Sequence, residues 1–197
     1  MTRFSLDPID WTPWVAPMAA ADCSDEQLAA LDVSHRSARQ SDYYLTLVHD
    51  PAVLRERSGL FNAVMYGRDG LSRAEREFAT VVESRINGCP YCANVHARLF
   101  VQLGKDHDTM QRLLDDGPQA AMPPRLRALA DFAAALTATP PAADAGHLAR
   151  LREQGFTDLE ILDATHAVAM FAWANRLMQS LGEPLDLPVD APARSPT

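Results

Sequence analysis

Cys89 and Cys92, separated by Pro90 and Tyr91, are two thiols three residues apart. At helical spacing their Cα atoms stand roughly 5–6 Å apart, within reach of one disulfide. Pro90 suits the first position of a helix, so Cys89 falls at or beside the N-cap and Cys92 in the first turn. Unpaired N–H groups and the positive end of the helix dipole point at that spot. Thiolate is the nucleophile. A free thiol with a pKa of about 8.5 is only a few per cent ionised at neutral pH, and lowering it by one unit raises the reactive fraction about tenfold. A C-x-x-C pair of this kind does thiol redox chemistry or binds metal.

His96 follows Cys92 by four residues and shares its helix face. Val95, Leu99, Phe100 and Leu103 fall on that face too, whereas Asn94, Arg98 and Gln102 fall opposite. The thiol and the imidazole therefore point inward, and the site is expected to be occluded. An acid can come from the preceding helix, whose apolar stripe is Ala74, Phe78, Val81 and Val82. Glu77 lies about 90° from the stripe centre, at the buried edge, and Glu83 about 150° away, toward solvent. Glu75 is taken up in a capping box with Ser72. If the two helices run antiparallel through a tight turn, Glu77 lies roughly one turn beyond His96. It reaches His96, directly or through a water, but not Cys92. The spacing predicts a relay from Glu77 to His96 to Cys92.

The elements that must position these groups read as helices almost throughout. Ser24 with Gln27, Ser72 with Glu75 and Thr157 with Glu160 are capping boxes, and Asp50-Pro51 is an N-cap followed by proline. Helices are expected from Ser24, over 42–48, from Pro51 to near Gly67, from Ser72 to Ile86, from Pro90 to Gly104, over 107–114, around 126–138, from Asp144 to Gly155, and from Thr157 to Leu181. Asn87-Gly88 ends the helix before the thiol pair. Strand signals are nearly absent. The expected fold class is all-α, a single domain of about eight helices over 24–182. A Pro- and Trp-rich extended arm precedes it over 1–23, and a loose Pro-rich tail follows over 183–197. Trp11 and Trp14 are expected to anchor the arm by packing.

The chain has 197 residues, 47% hydrophobic and 22% charged, with a net charge of −8. That length suffices for one core, and the acidic balance without a Lys/Arg cluster argues against nucleic acid and against anionic membrane surfaces. The N-terminal residues lack the apolar stretch of a secretory signal, and no run approaches the roughly 18 apolar residues of a membrane span, so a cytoplasmic location is expected. Three cysteines do not make a secreted disulfide scaffold.

Glu77, eleven residues, Cys89-x-x-Cys92, three residues and His96 resemble the E-x11-C-x-x-C-x3-H signature of alkylhydroperoxidase D, in the carboxymuconolactone decarboxylase-like family. The likeness is strongest over about 45–105, and Asn175-Arg176 in FAWANRLMQSLG resembles the peroxidase-related branch. The resemblance implies an alkylhydroperoxidase D-like helical bundle and a thiol-dependent peroxidase. It implies that Cys92 attacks the peroxide oxygen and becomes a sulfenic acid, that Cys89 resolves it to a disulfide, and that Glu77 and His96 relay the proton. It further implies a hydroperoxide substrate, a dithiol or thiol-protein reductant and no metal, haem or flavin. Together with the Trp-rich arm, it implies a homo-oligomer, a trimer or a hexamer. Tyr91 stands where the best-known members carry histidine, so a proton-shuttling role there is replaced by gating or packing.

Other readings compete. Cys-Pro-Tyr-Cys also resembles the glutaredoxin motif, but that motif follows a strand, and here a capped helix precedes it. A zinc site from Cys89, Cys92, His96 and an acid suits the ligand types, although Glu77 would have to reach across to the thiols. A non-catalytic redox switch that controls assembly remains open. Lactone decarboxylation, which names the wider family, generally goes without the cysteine pair. Cys23 has no partner pattern, nor do His35, His49, His107, His147 and His166. A helix-end salt bridge is expected for Arg176.

Overall fold

Capping chemistry sets most of the helix ends. A computed structural model of the chain describes residues 4–187, and among them are nine α-helices and one two-stranded ribbon. The helices are α1 (Asp25–Asp32), α2 (Asp42–Leu47), α3 (Pro51–Tyr66), α4 (Arg73–Ile86), α5 (Pro90–Gly104), α6 (His107–Asp116), α7 (Pro124–Thr137), α8 (Ala145–Glu153) and α9 (Asp158–Leu181). Both sides of the capping box form at Ser24 with Gln27 and at Thr157 with Glu160. Asp50 accepts from the Val53 N–H at 3.1 Å, with Pro51 in the first helical position. At Ser72 the box is half made. Ser72 Oγ accepts from the Glu75 N–H, but the Glu75 carboxylate takes the Ser72 hydroxyl at 2.6 Å and Arg125 Nε at 2.6 Å instead of the N-cap backbone.

Helix α4 is the centre of the molecule. It packs on α5, α7 and α9, and every residue from Arg76 to Ser84 is buried. Over that stretch the enclosed helix has no solvent face. Its one large buried cation, Arg76, is paired through its terminal nitrogens with Asp163 of α9 at 2.7 Å and with the carbonyls of Gly67 at 2.5 Å and Asp69 at 2.7 Å. Breaking such a pair from one side costs roughly 3–5 kcal/mol. Phe78, Val82, Phe100, Leu113, Leu129, Phe132 and Val168 make the main core around α4. A second apolar cluster gathers Trp11, Leu31, Tyr43, Tyr44, Leu54 and Met178 around Cys89 and Cys92.

The ends of the chain depart from expectation. Strand β1 (Ile9–Pro13) pairs antiparallel with β2 (Gly182–Asp186), with Trp11 opposite Pro184. The arm is therefore part strand, and the expected loose tail begins as a paired strand over 183–186. Residues 188–197 of that tail, like residues 1–3, lie outside the described residues. The ribbon is held by tertiary contacts. Trp11 Nε1 donates to the Met178 carbonyl at 3.0 Å and the Trp14 N–H to the Leu181 carbonyl at 2.7 Å. Gly182 permits this, because a Cβ there would stand 2.3 Å from the Trp11 ring. Trp11 is buried and anchors the arm as expected, but Trp14 is 61% exposed and does not. No helix among the described residues is long and apolar enough to cross a membrane.

Candidate active site

The turn between α4 and α5 places the thiols. Asn87 closes α4 with its N–H on the Glu83 carbonyl at 2.9 Å, and Gly88 takes the left-handed conformation at φ 71° that a side chain would strain. The Cys89 N–H then returns to the Ser84 carbonyl at 3.0 Å. Cys89 is the N-cap of α5 and Pro90 opens the helix, so Cys92 sits in its first turn. Both thiols are reduced and buried.

The expected relay is half visible as direct contacts. Glu77 Oε2 lies 2.5 Å from His96 Nδ1, with no water between them. The other carboxylate oxygen accepts from Arg73. Burial pushes the Glu77 carboxyl up, but the charge and hydrogen bond of His96, aided by Arg73, outweigh it and hold the group below the usual carboxylate range. With Nδ1 engaged, Nε2 is the ring nitrogen left to exchange a proton. The ring packs edge-on against Phe171 with centroids 4.4 Å apart. His96 and Cys92, one turn apart on α5, line the same half-open pocket, with a cavity volume of about 50 Å³.

Cys89 opens elsewhere. It lines a groove of about 280 Å³ walled by Trp11, Trp14, Gln179 and Glu183. Tyr91 and Met178 border both spaces and form the partition. Each thiol thus has its own approach, and Tyr91 stands between them.

The two thiols share a hydrogen bond. It eases ionisation of Cys89, against burial, with help from the Cys92 N–H and Gln179. The same bond, burial and the charges of Cys89 and Glu83 push Cys92 well above the ordinary thiol range, and Arg57 pulls the other way. The resting pair therefore loses its first proton readily and its second with difficulty. The first charge settles on Cys89, whereas attack through Cys92 needs that charge to move across the shared bond.

Two residues of the site escape a reading of the sequence. Arg57, on α3, is buried and lines the pocket beside Cys92. It lies 4.5 Å from the Phe61 ring centre and donates to the Tyr44 hydroxyl at 3.4 Å. In the sequence it stands in the polar run Arg55-Glu56-Arg57-Ser58, where nothing local marks this cation as buried. Glu83 is the second. The angular count sends it to solvent, but its exposure is 0%. The count used the stripe of one helix, and α4 is enclosed by α5, α7 and α9.

The remaining candidates fall outside this chemistry. Arg176 donates to the Ala172 carbonyl in place of the expected salt bridge, whereas its neighbour Asn175 is buried and donates to Ser84 Oγ at 3.1 Å, tying α9 to the end of α4. Cys23 Sγ donates to the Ala19 carbonyl. Among the described residues no three His, Cys, Asp or Glu side chains are grouped to hold a metal ion, and Glu77 lies beyond His96, bonded to its Nδ1.

Comparison with known proteins follows the same segment. Residues 51–117, which carry α3, Glu77, the thiol pair and His96, match the carboxymuconolactone decarboxylase family. A structure described as an alkylhydroperoxidase AhpD core, the peroxidase-related protein of Ralstonia eutropha JMP134, superposes with a TM-score of 0.72 at 28% identity, covering 86% of this chain and 89% of that one. The chain has an alkylhydroperoxidase D-like fold. A peroxidase-related protein of Silicibacter sp. TM1040 gives a TM-score of 0.67 at 26% identity over 84% of this chain and 90% of that one. The alkyl hydroperoxide reductase AhpD of Streptomyces avermitilis is 32% identical over 98 residues, 48% of this chain. The match spans about half, 55%, of that relative's length.

Proposed function

We propose that this alkylhydroperoxidase D-like protein is a thiol peroxidase that reduces a hydroperoxide to an alcohol and water. The carrying observation is the 2.5 Å contact of Glu77 with His96, on the wall of the pocket that holds Cys92. Cys92 thiolate attacks the terminal peroxide oxygen, the O–O bond breaks, and the departing alkoxide takes a proton from the imidazolium of His96. Glu77 orients the ring and stabilises its charge, and Arg57 stabilises the thiolate. Cys89 then displaces hydroxide from the Cys92 sulfenic acid and forms the disulfide. A dithiol or thiol-protein reductant restores the pair, and the groove over Cys89 gives it an approach separate from the peroxide pocket.

A homo-oligomer, trimer or hexamer, belongs to the same proposal. Val53, Leu60 and Trp173 are exposed around one open groove between α3 and α9, a surface that a second copy would cover. Light scattering at micromolar concentration checks it, and a monomer would remove this part.

The deciding experiment is consumption of tert-butyl hydroperoxide in the presence of dithiothreitol, followed by mass spectrometry. Turnover by the wild type, none by Cys92→Ser, and a Cys89–Cys92 disulfide after peroxide alone are expected. Disulfide formation without turnover would make the protein a redox switch instead.

A further inference from the structure

Glu83 is a buried carboxyl that the peroxide step leaves unused. Its exposure is 0%. One carboxyl oxygen accepts from the Asn87 side chain, and the other, Oε2, is buried with no hydrogen-bond partner. It stands in the last turn of α4, the turn that delivers Cys89 through the Cys89 N–H bond to Ser84. A buried carboxylate with a bare oxygen would be costly. A buried carboxylic acid whose hydroxyl is held in reserve for a nearby reaction explains the same arrangement.

We propose that protonated Glu83 is the proton donor for disulfide formation, so that the two thiol steps have separate acids: His96, backed by Glu77, for the peroxide step, and Glu83 for resolution. The proposal rests on the peroxidase reading for its first step. After the peroxide step Cys89 is a thiol and His96 has lost its proton. The Cys89 proton passes back to His96, and as the resulting Cys89 thiolate attacks the Cys92 sulfur, the S–O bond breaks and hydroxide leaves with the proton of Glu83. Cys89 thiolate, Cys92 sulfenic acid and Glu83 carboxylic acid become the disulfide, water and Glu83 carboxylate, with one negative charge on each side. Two thiols of the reductant later yield their disulfide, Cys92 thiol, Cys89 thiolate and reprotonated Glu83, which closes the cycle.

The groups around Glu83 fit this role. Cys89 and Cys92 act on it from α5, and Arg176 from α9 is the opposing cation, exposed and bonded to the Ala172 carbonyl. Burial first, and then the charge of Cys89, push the Glu83 carboxyl up to about 8, with Arg176 opposing. The acid is therefore mostly protonated at neutral pH. When the thiol charge vanishes in the disulfide, burial still raises the carboxyl but the charge of Cys89 no longer does, and the balance shifts toward release of the proton.

Two readouts test this. In rapid-mixing experiments at pH 7, Glu83→Gln should slow disulfide formation by at least about tenfold and let dimedone capture the Cys92 sulfenic acid. Glu83→Asp should recover part of the rate, and wild-type resolution should fall as pH rises through about 8. A wild-type resolution rate in Glu83→Gln, or an equal loss in the peroxide step, would overturn the proposal. The second readout needs no peroxide. Oxidation of the reduced protein by diamide should remove one protonated-carboxyl band from the infrared difference spectrum, and that change should be absent in Glu83→Gln. If the wild type shows no such change, Glu83 is not the donor. If the change is present but hydroperoxide is not consumed, proton donation by Glu83 stands and the peroxidase reading falls.

Discussion

Glu77 Oε2 and His96 Nδ1 stand 2.5 Å apart, in a region where the carboxylate is fully buried and the imidazole faces a pocket shared with Cys92. The pair joins α4 to α5, and in the proposed relay Glu77, which does not line the pocket of Cys92, acts on the thiol through the imidazole. Glu77→Gln should slow the peroxide step by roughly 10²-fold, within the range of general acid–base contributions. His96→Ala should do at least as much, and the double change should be little worse than His96→Ala alone, because the two act in series. Single-turnover rates of the four proteins check this, and multiplying effects would mean that Glu77 works by another route.

The resting pair and the peroxide chemistry assign the thiolate to different cysteines. Cys89 ionises first, yet Cys92 is the thiol in the pocket with His96. Cys92→Ser should abolish peroxide reduction. Cys89→Ser should react once and stop, with the sulfenic acid on Cys92. Mass spectrometry of the dimedone adduct locates it. An adduct on Cys89 in Cys92→Ser, and none on Cys92 in Cys89→Ser, would reverse the two roles.

Arg57 is the cation that opposes the rise of Cys92. Arg57→Met removes the charge at similar bulk, so the alkylation profile of Cys92 in a Cys89→Ser background should move to higher pH. Its rate at pH 7 should drop by about tenfold for a shift of one unit. Arg57→Lys should recover only part of this, because an ammonium lacks the flat face that stacks on Phe61. An unmoved profile in Arg57→Met would leave Arg57 as packing alone.

The ribbon makes a separate claim about stability. Trp11 is buried, bonded to the Met178 carbonyl and seated on Gly182, so Trp11→Ala should cost roughly 3–5 kcal/mol. Trp14, largely exposed, should change stability by no more than about 0.5 kcal/mol on truncation. Urea unfolding of the two variants compares them, and equal losses would contradict the anchoring role of Trp11.

What the sequence disclosed and what it hid follow one physical distinction. Caps, the Gly88 turn, the C-x-x-C pair and the register of His96 with Cys92 are local, and local chemistry decides them. Glu83, Arg57 and the ribbon are decided by what other elements do. Glu83 is buried because α5, α7 and α9 surround α4, which an angular count along one helix cannot register. Strands β1 and β2 are five residues each; β1 alternates over only four residues before Pro13, and β2 carries Pro184 at its middle and does not alternate. They form because Trp11 finds Met178 and Gly182 at the far end of the chain.

The burial of Glu83 should also appear in the pH dependence of folding. In the unfolded chain its carboxyl ionises near 4.5, but in the folded protein it keeps its proton to about 8. Between those values the unfolded state has released a proton that the folded state retains. The contribution of the protonated group is complete below 4.5, declines by about 1.4 kcal/mol per pH unit, and is gone once pH passes 8. From pH 5 to pH 9 the wild type should therefore lose about 4 kcal/mol that Glu83→Gln does not lose. Glu77 supplies the opposite control. Its carboxyl is held below the usual range, so its contribution is present above the unfolded value and is lost as pH falls. Glu77→Gln should accordingly flatten the acid side of the stability profile and leave the alkaline side unchanged. Urea unfolding of the three reduced proteins at pH 4, 5, 7 and 9 separates the two carboxyls. A Glu83→Gln profile parallel to the wild type between pH 5 and pH 9 would show that Glu83 is ionised in the folded protein, and could not be the acid held beside the thiols.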